Sequence, residues 1–190
     1  MKWSILILTQ PSRVEFLERL MSYLGPQLLD FNDIELVITL FDKQFSIGEN
    51  RANMIEAAKG EYVNFVDDDD LIAEDYVNSI YPLLDGEVDY IGFEAKFFDD
   101  GIYTKPSFHS LVHKNWFENQ NGYYRDLSHL NPIRKPLAVA GNMGMHKEPG
   151  QEDWWWAGRL RDMGIVKTEK YIPRPMYFAY YRRNKPDSPF

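Results

Sequence analysis

The chain has 190 residues, 29 acidic and 21 basic side chains, a formal net charge of −8 and no cysteine. The missing cysteine excludes a disulfide framework, a thiolate zinc site, an iron–sulfur cluster and a cysteine nucleophile. No apolar run approaches the roughly 20 residues that span a bilayer, and the start lacks the features of a signal peptide. We therefore expect a cytoplasmic protein, with one domain over residues 1–190.

The first 100 residues alternate between strand-like and helix-like patterns. Short apolar runs predict strands over residues 2–8, 34–40, 62–66 and 89–98. Helical spacing and end signals predict a helix from Ser12, with a Ser12–Glu15 capping box, to Gly25-Pro26, and helices over residues 48–59 and 74–84. This order predicts an α/β fold, with an open, mostly parallel sheet and helices on both faces.

The second half of the chain has weaker patterns. Residues 105–135 lack periodicity and are rich in Asn, His and aromatic residues, which predicts a long loop region with short elements. Further along, we expect a short strand over residues 138–141, a helix over residues 152–163, strands over residues 166–172 and 176–181, and a polar tail over residues 182–190.

Polar residues stand where three of the predicted strands end. Thr9 follows the first strand, Asp42 follows the second, and the run Asp67–Asp70 follows the third. Open α/β sheets bind ligands beyond the carboxyl ends of their strands. We therefore expect these residues to lie around one crevice.

The run of four aspartates is the most unusual feature. Residues 61–100 contain 13 acidic side chains and one basic side chain. This block argues against a nucleic acid lying on the middle of the chain. Carboxylates on one face of a strand end suit Mg²⁺ or Mn²⁺, which complete their shell with water and phosphate oxygens. The alternative is a solvated turn in which an Asp caps the next helix.

Three segments resemble the nucleotide-sugar-binding half of family 2 glycosyltransferases, which have the GT-A fold. They are residues 46–51 (SIGENR), residues 56–63 (EAAKGEYV) and residues 65–70 (FVDDDD). The family's pattern is a helix that ends in Ala-x-Gly-Glu-Tyr, then a strand and an Asp-x-Asp metal motif. The resemblance implies that residues 1–100 form the nucleotide-sugar-binding half and residues 101–181 the acceptor-side half.

The resemblance also implies roles for residues around the crevice. Asp69 would hold Mn²⁺ or Mg²⁺, and Thr9 and Pro11 would contact the uracil end of a UDP-sugar. The donor-binding residues that it implies are Thr9, Pro11, Asp42, Gly48, Arg51, Asp67 and Asp68. The chain departs from the family in reading Arg51-Ala52-Asn53, and in lacking a His near Tyr177–Tyr181 as a further metal ligand.

Residues 150–154 (GQEDW) resemble the family's Glu-Asp motif at the start of a helix. The resemblance implies that Asp153 is the catalytic base, which takes the proton of the acceptor hydroxyl as the anomeric centre inverts. Glu152 and Trp154 would then lie on the acceptor side. His129 lies there too, since residues 129–134 resemble an acceptor-side segment of some small glycosyltransferases, including phage-type ones.

The leading hypothesis is therefore a metal-dependent, inverting glycosyltransferase that uses a UDP-sugar. One alternative is a sugar-phosphate nucleotidyltransferase, although residues 9–13 (TQPSR) lack the glycine-rich loop that this chemistry usually needs. Another is a non-catalytic nucleotide-sugar-binding protein of the same fold. The acceptor, the sugar and the oligomeric state stay open, and a nucleic acid is expected at most as the acceptor.

Overall fold

The computed structural model of the chain describes residues 1–148 and 150–181. The predicted tail, residues 182–190, lies outside the described residues. The helices and strands are β1 (Trp3–Thr9), α1 (Val14–Leu28), β2 (Ile34–Leu40), α2 (Ile47–Ala57), β3 (Tyr62–Phe65), β4 (Leu71–Ile72), α3 (Tyr76–Ile80), β5 (Tyr90–Asp99), β6 (Ile102–His109), β7 (Phe117–Asn119), β8 (Gly122–Arg125), β9 (Ile133–Arg134), α4 (Lys135–Gly141), α5 (Glu152–Met163) and β10 (Glu169–Tyr181).

The strands form one sheet in the order β2-β1-β3-β9-β5-β6-β8-β7, and β10 pairs with both β5 and β4. β1 is parallel to β2 and β3, and β10 is parallel to β5. β5 runs in the same direction as β3, because the short β9 between them is antiparallel to both. The carboxyl ends of β1, β2, β3, β5 and β10 therefore lie along one edge, which confirms the predicted open, mostly parallel sheet.

Helices cover both faces of this sheet, as predicted. Side chains alternate between the two faces along a strand. Ile5 and Ile7 of β1 pack in a core with residues of α1 and α3. Leu6 packs on the other face in a second core, with residues of α2, α4 and α5.

Both predicted ends of the first helix are wrong. Ser12 lies inside a 3-10 turn over Pro11–Arg13, and no side chain caps that turn or α1. Pro11 favours a helical turn that begins one residue before Ser12, because its fixed φ suits the first position of a helix. At the other end α1 continues through Pro26 to Leu28. Leu28 packs against the first core, so burial outweighs the helix-breaking tendency of Pro26.

The region over residues 105–135 contains the predicted short elements, but its first residues belong to a longer strand, β6. Asp100 and Gly101, both at positive φ, form a hairpin turn, which leads into β6 beside β5. β8 then pairs with β6, and β7 with β8. These strands pair with close neighbours along the chain, but their residues lack regular alternation and so leave little periodic signal in the sequence.

Three further predictions need correction. Residues 138–141 belong to α4 rather than to a strand; Pro136 stands near the first position of this helix, where proline is well tolerated. The third helix is shorter than predicted, since α3 ends at Ile80 and a 3-10 turn with Pro82 follows. The last two strands form one strand, β10, with irregular pairing at Pro175. Within the described part of the chain, no helix is long and apolar enough to cross a membrane.

Candidate functional site

The acidic turn, residues Asp67–Asp70, follows β3 at the carboxyl edge of the sheet. The backbone N–H of Asp70 donates to the carbonyl of Asp67 at 3.1 Å. Asp68, Asp69 and Asp70 are buried, whereas the side chain of Asp67 is 35% exposed. The turn therefore presents Asp67 to solvent and keeps the other three carboxyl groups inside the protein.

Residues at the end of β1 hold the middle of the acidic turn. The Thr9 hydroxyl donates to Asp68 at 2.6 Å, and Arg13 Nε donates to the same carboxylate at 3.0 Å. Arg13 also forms an ion pair with Asp69 at 2.8 Å. Burial nevertheless raises the pKa of Asp68 above its ordinary value, since these contacts offset only part of the desolvation. The predicted meeting of the ends of β1 and β3 is thus confirmed.

The buried end of the acidic turn is held by β10. The Tyr177 hydroxyl donates to Asp70 at 2.8 Å and accepts from the backbone N–H of Asp67 at 3.0 Å. The backbone N–H of Tyr180 donates to Asp70 at 2.7 Å. Burial, together with the charges of Asp67 and Asp69, raises the pKa of Asp70 well above its ordinary value.

Arg51 of α2 joins the exposed end of the turn to the start of α5. Its guanidinium is 2.7 Å from Asp67 and 2.8 Å from Glu152. Burial lowers the pKa of Arg51, but the charges of Asp67 and Glu152 outweigh burial, so the net shift is upward. The Arg51 side chain therefore connects the acidic turn with the Glu-Asp motif at the start of α5.

His129 lies between Asp67 and Asp153. Its Nε2 is 3.8 Å from Asp67 Oδ2, and its Nδ1 is 3.5 Å from Asp153 Oδ2. The ring is buried, and neither nitrogen has a hydrogen-bond partner among the described residues. Asp153 also accepts from the backbone N–H of Trp154 at 2.7 Å. The Asp153 carboxylate thus lies one imidazole ring away from the acidic turn.

The other predicted site residues lie further from this cluster or play packing roles. Pro11 is exposed in the 3-10 turn after β1, and Asp42 accepts from the backbone N–H of Gln44 at 2.9 Å beside the end of β1. A Cβ on Gly48 would lie 2.5 Å from the Met143 carbonyl, so this glycine allows close packing at the start of α2. Trp154 is 44% exposed and contacts the Trp155 ring edge-on.

Three residues in or beside the site were not predicted: Arg13, Tyr177 and Arg125. Arg125 is partly buried; desolvation lowers its pKa, while the charge of Asp153 acts in the opposite direction. The sequence offers one usable signal, a basic residue four positions after Thr9, where the chain leaves the first strand. Tyr177 stands in the segment that lacks the expected His, and nothing local marks its contact with the acidic turn.

No three side chains of His, Cys, Asp or Glu within residues 1–148 and 150–181 are grouped so as to hold a metal ion. Asp69, the predicted ligand, lies in an ion pair with Arg13. Carboxylate oxygens are nevertheless the ligands that Mg²⁺ and Mn²⁺ take, and such ions keep waters and bind substrate phosphates. The acidic turn thus offers oxygen atoms of the type these ions take, but the described residues do not form a cage of protein ligands alone.

The comparisons with known proteins agree with this geometry. The profile of the family described as Glycosyl transferase family 2 matches residues 13–154, and no curated protein matches the sequence. The structure of S. aureus TarS 1-349 in complex with UDP-GlcNAc is similar, with a TM-score of 0.73 and 17% identity over 97% of this chain and 60% of that chain. Its complex with UDP, at 17% identity, has a TM-score of 0.70 over 95% and 60% of the two chains. The chain thus spans about 60% of the length of these structures, and the likeness is one of fold.

Proposed function

This chain belongs to glycosyl transferase family 2, and we propose that it is a glycosyltransferase that transfers a sugar from a UDP-sugar to an acceptor hydroxyl with inversion at the anomeric carbon. The observation that carries the proposal is the convergence of Asp67, Arg51, His129 and Asp153 at the carboxyl edge of the sheet. Family membership favours this reaction over nucleotidyl transfer and over binding without catalysis. The UDP-GlcNAc complex of TarS supports the choice of a UDP-sugar as donor.

The donor would lie over the ends of β1, β2 and β3. Thr9 and Pro11 follow β1, Asp42 follows β2, and Asp67 and Asp68 follow β3. The carboxylate of Asp67, which is 35% exposed and paired with Arg51, would contact sugar or ribose hydroxyl groups. Gly48 contributes indirectly, because its close packing sets the start of the helix that carries Arg51.

A divalent cation, Mn²⁺ or Mg²⁺, would be bound by Asp69 together with water and the diphosphate. When bound, it would neutralise the charge that develops on the leaving UDP. Arg13 now pairs with Asp69, so this ion pair would have to open for the carboxylate to act as a ligand. Arg13 would remain beside Asp68, to which it also donates.

Asp153 would act as the base. Its carboxylate would take the proton of the acceptor hydroxyl while the hydroxyl oxygen attacks the anomeric carbon and UDP departs with the electron pair of the broken bond. Trp154 and His129 would border the acceptor. Glu152 is buried and forms an ion pair with Arg51, so its proposed role is to position Arg51.

A thermal-shift series tests the proposal. We expect UDP and UDP-GlcNAc to raise the melting temperature, because a ligand at about 100 times its Kd stabilises the folded state by about 2.7 kcal/mol. The rise should be larger with Mn²⁺ present, because the cation would bind together with the diphosphate. ADP with Mn²⁺ is the matched control for the nucleobase, because it differs from UDP there alone. Equal shifts with ADP would contradict the choice of UDP, and an Mn²⁺-independent shift would contradict the metal site.

Slow, Mn²⁺-dependent release of UDP from a UDP-sugar in the absence of an acceptor is also expected. A binding protein without catalysis would show the thermal shift but would leave the UDP-sugar intact.

A further inference from the structure

His129 is buried at the site, and neither of its ring nitrogens makes a hydrogen bond with a described residue. Its exposed fraction is 6%. Burying a polar atom without a partner costs free energy, so each such atom in a folded protein needs an explanation. An apolar ring would fill the same space without that cost. The two nitrogens therefore indicate a function rather than a packing role.

The backbone fixes this ring at the end of β3. The His129 carbonyl accepts from the N–H of Phe65 at 2.8 Å, and the centres of the two rings are 6.0 Å apart. The N–H of Asn131 donates to the Ser128 carbonyl at 3.1 Å, which closes a turn that contains His129. Ser128 and Asn131 are fully buried. The ring thus has little freedom to turn away from the carboxylates beside it.

Two carboxylates lie beside the ring, and they differ in their other partners. Asp67 Oδ2 is 3.8 Å from Nε2, but Asp67 also forms an ion pair with Arg51 at 2.7 Å. Asp153 Oδ2 is 3.5 Å from Nδ1. Within the described part of the chain, neither an Arg nor a Lys forms an ion pair with Asp153. The side chain that accompanies Asp153 is therefore His129, through Nδ1.

The nearby Arg125 does not take over this role. Its guanidinium lies over the rings of Trp116 and Phe97, at 4.3 and 5.2 Å from their centres. Burial lowers the pKa of Arg125, and the charge of Asp153 acts against this from beyond ion-pair distance. Arg125 thus affects the charge around Asp153, whereas His129 lies next to the carboxylate itself.

We propose that His129 is the positioning residue of the base, and that its Nδ1–H donates to Asp153 when the substrates are bound. Hydrogen bonds between catalytic groups are often long in the free protein and shorten in the complex with substrate, and a distance of 3.5 Å fits such a contact. This inference rests on the proposed function, because it assumes that Asp153 is the base.

The two oxygens of Asp153 then have one donor each. The Trp154 N–H donates to Oδ1 at 2.7 Å, and His129 donates to Oδ2. These two bonds fix the orientation of the carboxylate. Each oxygen still has a free lone pair for the proton of the acceptor hydroxyl, and His129 keeps its own proton throughout.

Two variants of the full chain separate the two ring nitrogens. The amide N–H of an Asn lies near the position of Nδ1, and that of a Gln lies near the position of Nε2. His129→Asn therefore keeps a donor towards Asp153, whereas His129→Gln keeps one towards Asp67. His113→Gln is the matched control, since His113 packs against aromatic rings in the turn between β6 and β7.

Release of UDP from a UDP-sugar with Mn²⁺, and with water as the acceptor, gives kcat and KM. We expect kcat to fall about 10²-fold in His129→Gln, which is the usual cost of a misplaced catalytic group, and about ten-fold in His129→Asn. KM should stay near its wild-type value in both, and His113→Gln should behave as the wild type. Urea unfolding shows that each variant is folded.

The same substitution in the Asp153→Asn background shows whether His129 acts through the base. There His129→Gln should lower kcat by less than about two-fold, because a positioning residue has no effect once its partner is lost. A merely structural role would lower kcat equally in both backgrounds.

Nitrogen NMR supplies a measurement that does not depend on turnover. The spectrum is recorded with UDP and Mg²⁺, which is not paramagnetic, and the His129 signals are those that either variant loses. The ring nitrogen that carries a proton is set by the hydrogen bond it makes, so we expect a proton on Nδ1. An Nδ1 without a proton overturns the proposal.

Three kinetic results would also overturn it and leave the proposed function intact. They are equal losses of kcat in His129→Asn and His129→Gln, an equal loss in the Asp153→Asn background, and wild-type kcat in His129→Gln. A higher KM at unchanged kcat falls in the last group, since it would assign His129 to the donor. A wild-type protein that releases no UDP from the UDP-sugar instead contradicts the proposed function.

Discussion

The acidic turn and the cluster around His109 are both polar and largely buried, but opposite kinds of groups hold them together. Arg13 and Arg51 pair with three carboxylates of the turn. His109 instead lies 2.7 Å from Asn131 and 2.9 Å from Ser107, and burial lowers its pKa to about 3. Neutral groups can be enclosed once they are hydrogen-bonded, whereas charges need a counterion or water. The turn is thus suited to receive a charged ligand, and the His109 cluster to support β5 and β6.

The largest effect is expected from Asp153→Asn, which removes the negative charge of the proposed base while keeping the size of its side chain. Release of UDP from a UDP-sugar should fall by about 10²- to 10⁴-fold, which is the usual contribution of a general base. UDP affinity should be nearly unchanged. Asp162→Asn, at an exposed position of the same helix, is the control and should retain activity. Full activity of Asp153→Asn would show that Asp153 is not the base.

Arg51→Met tests whether the charged groups also hold the fold. Glu152 is 3% exposed, so losing its cation leaves a buried carboxylate unpaired. The free energy of unfolding in urea should fall by about 3 to 5 kcal/mol. The double variant Arg51→Met/Glu152→Gln should recover most of this loss, because it leaves no buried charge there. A loss below about 1 kcal/mol in the single variant, which is typical of an exposed pair, would show that the ion pair of Arg51 with Glu152 does not stabilise the fold as a buried pair does.

His109 should make the neutral cluster sensitive to acid. An unfolded histidine binds a proton more readily than the buried ring, so its contribution to stability is fully present above about pH 6.5 and is lost as the pH falls towards 3. Between pH 7 and pH 5, wild-type protein should lose about 2 kcal/mol of unfolding free energy more than His109→Gln does. Urea unfolding at the two pH values measures this, and parallel losses in both proteins would contradict it.

The smallest effect is expected for a charged pair outside the site. Arg174 Nη1 is 3.1 Å from Asp75, and these side chains are 43% and 51% exposed. Arg174→Ala should change the free energy of unfolding by less than about 1 kcal/mol, because water screens exposed pairs. A loss as large as that of Arg51→Met would show that burial is not what separates the two pairs.

The parts of the site that the sequence predicts are those with local signals. Four aspartates follow a buried apolar run directly, and this placement predicts the acidic turn. The helix of Asp153 is predicted from Glu152 to Met163, and it ends where Gly164 adopts a positive φ of 59°. The α/β fold follows in the same way from alternating strand and helix patterns over the first 100 residues.

The residues that hold the turn in place were beyond this kind of reasoning. Arg13 contacts Asp68 across 55 positions of sequence, and Tyr177 contacts Asp67 across 110. Such contacts form only when strands distant in sequence come together, and no periodicity or capping residue predicts them. β6, β7 and β8 were not located for a different reason: they pair with strands close by in the chain, but their residues lack the regular alternation that marks a strand.

The continuous course of β10 has a geometric consequence for the acidic turn. The strand carries Tyr177 and Tyr180, which both donate to Asp70, one from its hydroxyl and the other from its backbone N–H. At about 3.3 Å per residue, the three steps between them span roughly 10 Å. Pairing with β5 keeps this stretch extended. Both contacts with Asp70 therefore depend on the register of one strand, so a one-residue deletion between the two tyrosines would break at least one of them.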